Sequence, residues 1–488
     1  MLHLLIYAAS GYLVVGAVIY LWGHPRRERA VAPINAQGAE GRSNLIYRQL
    51  AHSVQAVNFL VHSVTAKEHR PAAIADLYEA SVRRAFNTKF QFITTGTPHA
   101  RAFYPRNFAW FYPDLLDPAT LIDDEDMQAR VVLIERSLHM VLDTMRMRPY
   151  TTTIIPLAGK HFATVNYITP PSDSLLGVLA GIEQLADSRN AEARRHAAEI
   201  IERYGADIET QLALFAERLR PVVINKRTCL LLDAKGNMSS ATDTRNERMR
   251  FVVSANVWTT FAKAEKLGFM GGEVFGRFGL EKAAYKKQIL ELFGRDGYVV
   301  NSVAPEVKAK RADNITLDFA HVYKGFWDFS HPDESGLFKN TADLIFSDPT
   351  FRDISNNCYF VSNKNPRYHF LHRYTTPAYH GRTVWSSFNV EFADRLMDLA
   401  TMTGDGSYRE RAERILIQLK NATERHGGYP ELIDADGAFY RTWIYKSAIA
   451  DSWFPRFAGV WSRAFGYQVR STNELSSRSV PARIHARR

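Results

Sequence analysis

The strongest constraint on this fold is a rhythm. From about residue 45 onward, long stretches with apolar residues at helical spacing alternate with loops rich in aromatic residues. In "EDMQARVVLIERSLHMVLDTM" the apolar positions Met127, Val131, Ile134, Leu138, Val141, Leu142 and Met145 line one helix face. "SDSLLGVLAGIEQLA" and "AEARRHAAEIIERYGADIETQLALF" form a helical pair broken by "DSRN". Further helices are predicted over 73–87, 247–266, 278–293, 386–403, 408–423 and 444–463. Gly404 and Gly406 break one pair, and Gly427-Gly428 end another. Ser386 and Ser387 are expected to cap the helix that starts there. "TTTIIPL", "HFATVNYITP", "TCLLLDAKGNM" and "GYVVNSV" alternate as short strands, too few for a large sheet. The chain is therefore mainly α. Periodicity alone leaves open a toroid of paired helices and an irregular helical domain.

Composition removes several classes. A chain of 488 residues with 46% hydrophobic and 12% aromatic side chains can bury a large core. Cys229 and Cys358 are the two cysteines, so no disulfide framework holds it. The net charge of +10 gathers at the ends, in Arg26, Arg27 and Arg29 and in Arg478, Arg483, Arg487 and Arg488. Interior segments mix both signs on solvated faces, so no nucleic-acid partner is expected. No second His, Cys or carboxylate stands at ligand spacing beside His380, so neither metal nor other cofactor is expected.

The N-terminus has its own logic. Residues 2 to 22 carry no formal charge and are long enough to cross a bilayer. We therefore expect a transmembrane anchor over 1–23, a flexible linker over 24–44, a folded domain over 45–466 and a disordered basic tail over 467–488. The arginines that follow the apolar run place the main domain on the cytoplasmic side of a single-pass membrane protein.

One loop is unusual. "YHGRTVW" packs Tyr379, His380, Arg382 and Trp385 ahead of an amphipathic helix. Aromatic planes and convergent hydrogen-bonding groups are what a sugar pocket needs, since sugars present C–H faces and a rim of hydroxyls.

The same string resembles the Tyr-His-x-x-Thr/Ser-Val-Trp element of the glycogen-debranching amylo-α-1,6-glucosidases, members of the six-hairpin glycosidases. "YPRNFAWFYPDLLD", with Tyr104, Arg106, Asn107 and Trp110, is similar to the early loop that grips the sugar there. "GGYPELIDADGAFY" resembles the late Pro-Glu loop that supplies the general base, which puts that role on Glu431. Ser240-Ala241-Thr242-Asp243 resembles the acid-bearing element of the trehalase and processing-glucosidase relatives, without its Trp. Asp328 in "FWDFS" is the rival acid, and Trp327 beside it a substrate-loop residue. Asp173 resembles a substrate-binding Asp at the start of a barrel helix, and Trp258 completes the candidate set. Two departures stand out. Asn107 replaces the family's Asp, and Ser386-Ser387 replaces Pro-Trp.

The resemblance implies an (α/α)6 toroid of helical hairpins with short β excursions, and hydrolysis of a glycoside or oligosaccharide by an inverting pair of carboxyls. Two other readings stay open. One is a catalytically degenerate carbohydrate-binding or assembly protein on the same scaffold. The other is a polysaccharide lyase or sugar epimerase working through Tyr379, His380 and Arg382.

Overall fold

The computed structural model describes chiefly residues 69–96, 102–147, 171–225, 228–233, 248–270, 273–304, 314–353, 358–362 and 374–471, with a few shorter pieces. Two kinds of helix alternate along it. The first kind is amphipathic: α1 (Ile74–Ala85), α3 (Asp124–Met147), α5 (Ala191–Arg218), α7 (Lys282–Phe293), α8 (Pro332–Ser347) and α10 (Gly406–His426). Each of these turns a stripe inward, as α5 does with Ala193, Ala197, Ile200, Tyr204, Ile208 and Leu212. The second kind is buried almost all round: α2 (Asn107–Trp110), α4 (Ser174–Ala186), α6 (Phe251–Lys266), α9 (Ser386–Thr403) and α11 (Phe454–Phe465). A short 3-10 turn, Leu317–Phe319, takes the place between α7 and α8 where the next buried helix would stand. Buried segments pack on one another, α2 on α4, α4 on α6 and α9 on α11, while each amphipathic helix covers them from outside.

Early and late segments of the described domain meet. Arg84 of α1 donates to both oxygens of Asp451, at 2.9 and 3.1 Å. The Ile74 N–H donates to Glu424 Oε1 of α10 at 3.1 Å. Tyr78 of α1 meets Phe454 of α11 edge to face at 5.1 Å.

A buried ion cluster ties α9, α11 and the segment after α2. Arg456 donates to Glu391 at 2.6 Å, to Asp394 at 2.8 Å and to Asp114 at 2.5 Å. Arg395 and Arg463 pair with Asp394 from the other sides. Burial by itself raises the pKa of Asp394, but the three guanidinium groups outweigh it and hold the carboxyl below the ordinary aspartate range.

Strands are few. β2 (Thr153–Pro156) pairs antiparallel with β3 (His161–Val165), and β1 (Ala32–Pro33) joins β3 in parallel. Two residues of the expected linker therefore belong to a sheet edge. β4 (Arg220–Asn225) and β5 (Thr228–Leu232) form a hairpin that we did not expect before Thr228. "GYVVNSV" forms no strand; it contributes one bridge, Ser302 to Arg250. β6 (Val384–Trp385) pairs with β7 (Leu432–Ile433). The helix expected over 444–463 starts at Phe454, because Arg441 and Lys446 bridge across a hairpin first. The first residues of the predicted tail are structured, and residues 472–488 lie outside the described residues. Val469–Ser471 is a 3-10 turn, with Arg470 donating to the Ile122 carbonyl at 2.6 Å. Among the described residues no helix is long and apolar enough to cross a membrane. The anchor expected over 1–23 lies outside the described residues except for Val14.

Candidate active site

The late loop is built by local rules. Gly427 ends α10 in the left-handed region, φ 64°, and a Cβ there would lie 2.3 Å from the Arg70 carbonyl oxygen. The chain then runs extended. The Glu431 N–H donates to Ala448 O at 2.9 Å, and Ala450 N–H returns to Tyr429 O at 2.8 Å. The carbonyl of Glu431 accepts the Ser386 N–H, one of the first amides of α9, at 3.2 Å. The helix N-terminus is thus satisfied by a neighbouring strand. Trp385 holds the N-cap position, and the expected serine caps sit inside the first turn.

Glu431 is held from three sides. The Tyr445 hydroxyl donates to Oε2 at 2.5 Å, the Ala448 N–H donates to Oε2 at 3.3 Å, and the Tyr379 hydroxyl donates to Oε1 at 3.2 Å. The residue is 7% exposed, so its carboxyl is largely stripped of water. Burial pushes its pKa above the ordinary glutamate range, and the two hydroxyls and the amide pull part of the way back. Burial and the Glu431 charge raise both tyrosines well above their usual value, so both remain donors. Ala378, just before Tyr379, is left-handed at φ 64°. A non-glycine residue there costs about 1 kcal/mol, and that strained turn aims the phenol.

The three sequence motifs meet through rings. Trp385 lies edge to face with Tyr379 at 5.2 Å, stacks with His380 at 4.7 Å and lies parallel to Trp453 at 6.2 Å. Trp453 stacks on Phe111 at 4.1 Å, which brings in the segment after "YPRNFAW". Phe111 and Trp110 flank His321, whose other face stacks on Phe388 at 3.9 Å. Burial first, then Arg106, Arg395 and Arg456, lower the His321 pKa to about 3, so the imidazole is neutral. The Trp385 indole N–H donates to the Tyr379 carbonyl at 2.6 Å, so Trp385 is a wall that also fixes the phenol.

Several expected site residues lie elsewhere or do other work. Asn107 is buried, and its amide donates to Thr95 Oγ1 at 3.3 Å and to the Tyr112 hydroxyl at 3.2 Å. Its side chain joins loop to helix instead of reaching toward a sugar. Asn107→Asp removes both donors and buries a charge. Urea melts are expected to show a loss of about 1–3 kcal/mol, with sugar preference unchanged. Arg382 is exposed and covers the Phe360 ring at 4.9 Å. Trp327 is core, with its N–H on the Phe319 carbonyl at 2.9 Å. Trp258 lines a groove of about 850 Å³ between α7 and α8, under Lys286. Asp328 is exposed in a turn, and hydrogen bonds from Ser330 hold its carboxyl below the ordinary range. A general acid needs the opposite shift, so Asp328 does not suit that role.

Asp173 and Arg106 fit better. Asp173 is fully buried at the N-terminus of α4 without capping it through its side chain. A Cβ on Gly177, one turn on, would lie 2.1 Å from the Pro105 carbonyl oxygen, so α4 abuts the early motif there. Arg106 donates to the Ser240 carbonyl at 3.2 Å and lies over Tyr104. Tyr104 is near enough to Tyr379 to influence its ionisation. Asp243 lies outside the described residues. Sequence reasoning missed Tyr445, Trp453 and His321. The pairing of the 439–449 hairpin onto the Glu431 strand was the one signal for Tyr445, and it needs the register.

No family model matches the sequence, and no curated protein does. Solved structures do. The chain is similar to a glycoside hydrolase family 15 glucoamylase from Hypocrea jecorina, with 12% identity and a TM-score of 0.51 over 81% of this chain and 73% of that one. At that identity the likeness shows a shared fold. A metal-independent α-mannosidase of Streptococcus pneumoniae aligns with 12% identity and a TM-score of 0.47, over 80% of this chain and 93% of that one. A rhamnosidase from Klebsiella oxytoca aligns with 11% identity and a TM-score of 0.47, over 85% and 64%.

Proposed function

We propose that this protein is a membrane-anchored glycoside hydrolase that works by inversion on a glycoside or short oligosaccharide. The observation that carries the reading is Glu431: a desolvated carboxylate, oriented by two phenols, beside a wall of stacked rings. That is the environment of a general base. Asp243 is the proposed acid. In sequence Asp243 precedes α6, the third buried segment, and Glu431 precedes α11, the sixth when the Leu317–Phe319 turn is counted as the fourth. Ser240, three residues from Asp243, already accepts a hydrogen bond from Arg106 of the early motif. A wide gap between the two carboxyls, about 6.5–9.5 Å, is what an attacking water needs. Tyr104, Arg106, Asp173, Tyr379 and His380 would bind the sugar. The uncharged run over residues 2 to 22 supports the anchor and the basic cluster after it a cytoplasmic domain.

The test is an NMR time course of fresh product on a panel of α- and β-glycosides. Hydrolysis with inverted anomeric configuration is expected. Retained configuration rejects the inverting assignment, and no turnover on any glycoside rejects the hydrolase.

A further inference from the structure

We infer that Tyr445 is a positioning residue that pins Oε2 of Glu431 and leaves Oε1 as the atom that takes the proton from water. The inference rests on the hydrolase reading above.

The two oxygens are not equivalent. Oε2 receives two donors, the Tyr445 hydroxyl at 2.5 Å and the Ala448 N–H at 3.3 Å. Oε1 receives the Tyr379 hydroxyl at the longer distance of 3.2 Å. A short hydrogen bond to an ionised oxygen is the strong kind. It draws charge toward Oε2 and engages its lone pairs. The oxygen that acts as base must keep a lone pair for the incoming proton. Oε1 is the better placed of the two.

Tyr445 is itself rigid. Its N–H donates to Thr442 Oγ1 at 3.1 Å and its carbonyl accepts the Thr442 N–H at 2.7 Å, so it sits in a closed turn. Its ring meets Tyr379 edge to face at 5.5 Å and is 4% exposed. Burial and the Glu431 charge keep the hydroxyl protonated. Tyr379 is anchored too, its carbonyl accepting the Trp385 indole N–H at 2.6 Å and the Thr383 hydroxyl at 2.7 Å, so what separates the two phenols is their distance to Glu431.

The proton balance closes without Tyr445. Water gives its proton to Oε1 as its oxygen bonds to the anomeric carbon. The glycosidic C–O bond breaks, and the leaving oxygen takes a proton from the acid, proposed to be Asp243. Tyr445 keeps its own proton throughout.

The experiment compares Tyr445→Phe with Tyr379→Phe by infrared titration, with the Glu431 carboxyl band identified as the one lost in Glu431→Gln. Tyr445→Phe removes a donor to the ionised form. Its midpoint is expected to rise by about one to two pH units, and Tyr379→Phe is expected to move it less. On any hydrolysed glycoside, Tyr445→Phe should lower kcat by at least about tenfold with KM within about twofold, the pattern of an interaction that counts in the transition state. Both variants keep the ring, and thermal melts verify the fold. Equal midpoint shifts in the two variants, or none in a folded Tyr445→Phe, overturn the inference. If the unsubstituted protein hydrolyses nothing, the hydrolase reading fails, and the infrared midpoints still decide whether Tyr445 is the residue that pins Glu431.

Discussion

Glu431→Gln is expected to lower turnover by about 10²–10⁴-fold and to leave the melting temperature nearly unchanged. The amide has the same shape and still meets Tyr379, Tyr445 and the Ala448 N–H, so packing survives. It cannot take a proton from water. The unsubstituted protein should also show a telling pH profile. As the proposed base, Glu431 would work in its ionised form, and burial raises its pKa. Activity therefore falls as pH falls through that raised value. The acid limb of kcat/KM should lie above the ordinary glutamate pKa of about 4.3. An acid limb at or below that value would mean that another carboxylate is the base.

Arg456→Met should be the most damaging single change to stability. It strips Glu391, Asp394 and Asp114 of their shared cation in a site with almost no access to water. Breaking one side of a buried ion pair costs about 3–5 kcal/mol. Against a typical total of about 5–15 kcal/mol, that threatens folding at 37 °C. The pH dependence has a definite sign. Asp394 is held below its ordinary pKa, so its contribution is present above the unfolded value of about 3.9 and is lost as pH falls through the lower folded value. In Arg456→Met the carboxyl protonates at higher pH. The stability gap between the two proteins should thus narrow from pH 7 toward acid. Urea titrations at several pH values measure it, and a gap that widens toward acid would contradict the assignment.

The amphipathic helices were legible because a stripe at helical spacing survives any tertiary context. α9 was legible at both ends, since Gly404 closes it with φ 71°. α2 was not, because four residues carry no period. The start of α11 was misplaced because the helix was expected from residue 444, where the backbone is still a hairpin. Residue type pointed to a candidate site and could not assign its members. Trp327 and Trp385 are the same side chain and equally buried; one rests on the Phe319 carbonyl and the other faces Tyr379. Asn107 reads as a sugar ligand until Thr95 and Tyr112 are seen to hold it. Glu431 was found because a resemblance pointed at it, and its partner Tyr445 was hidden because their contact depends on how a hairpin folds back.

The meeting of early and late segments has a consequence for how the protein is made. Arg84 and Asp451 are 367 residues apart in sequence. At about 5–20 residues per second, α1 leaves the ribosome roughly 20–70 s before its ion-pair partner exists. During that interval Ile74, Tyr78 and Val82, which the finished protein buries, have no C-terminal segments to cover them. The apolar stripe of α1 goes without that part of its cover for most of synthesis. The domain cannot close until its last helix emerges.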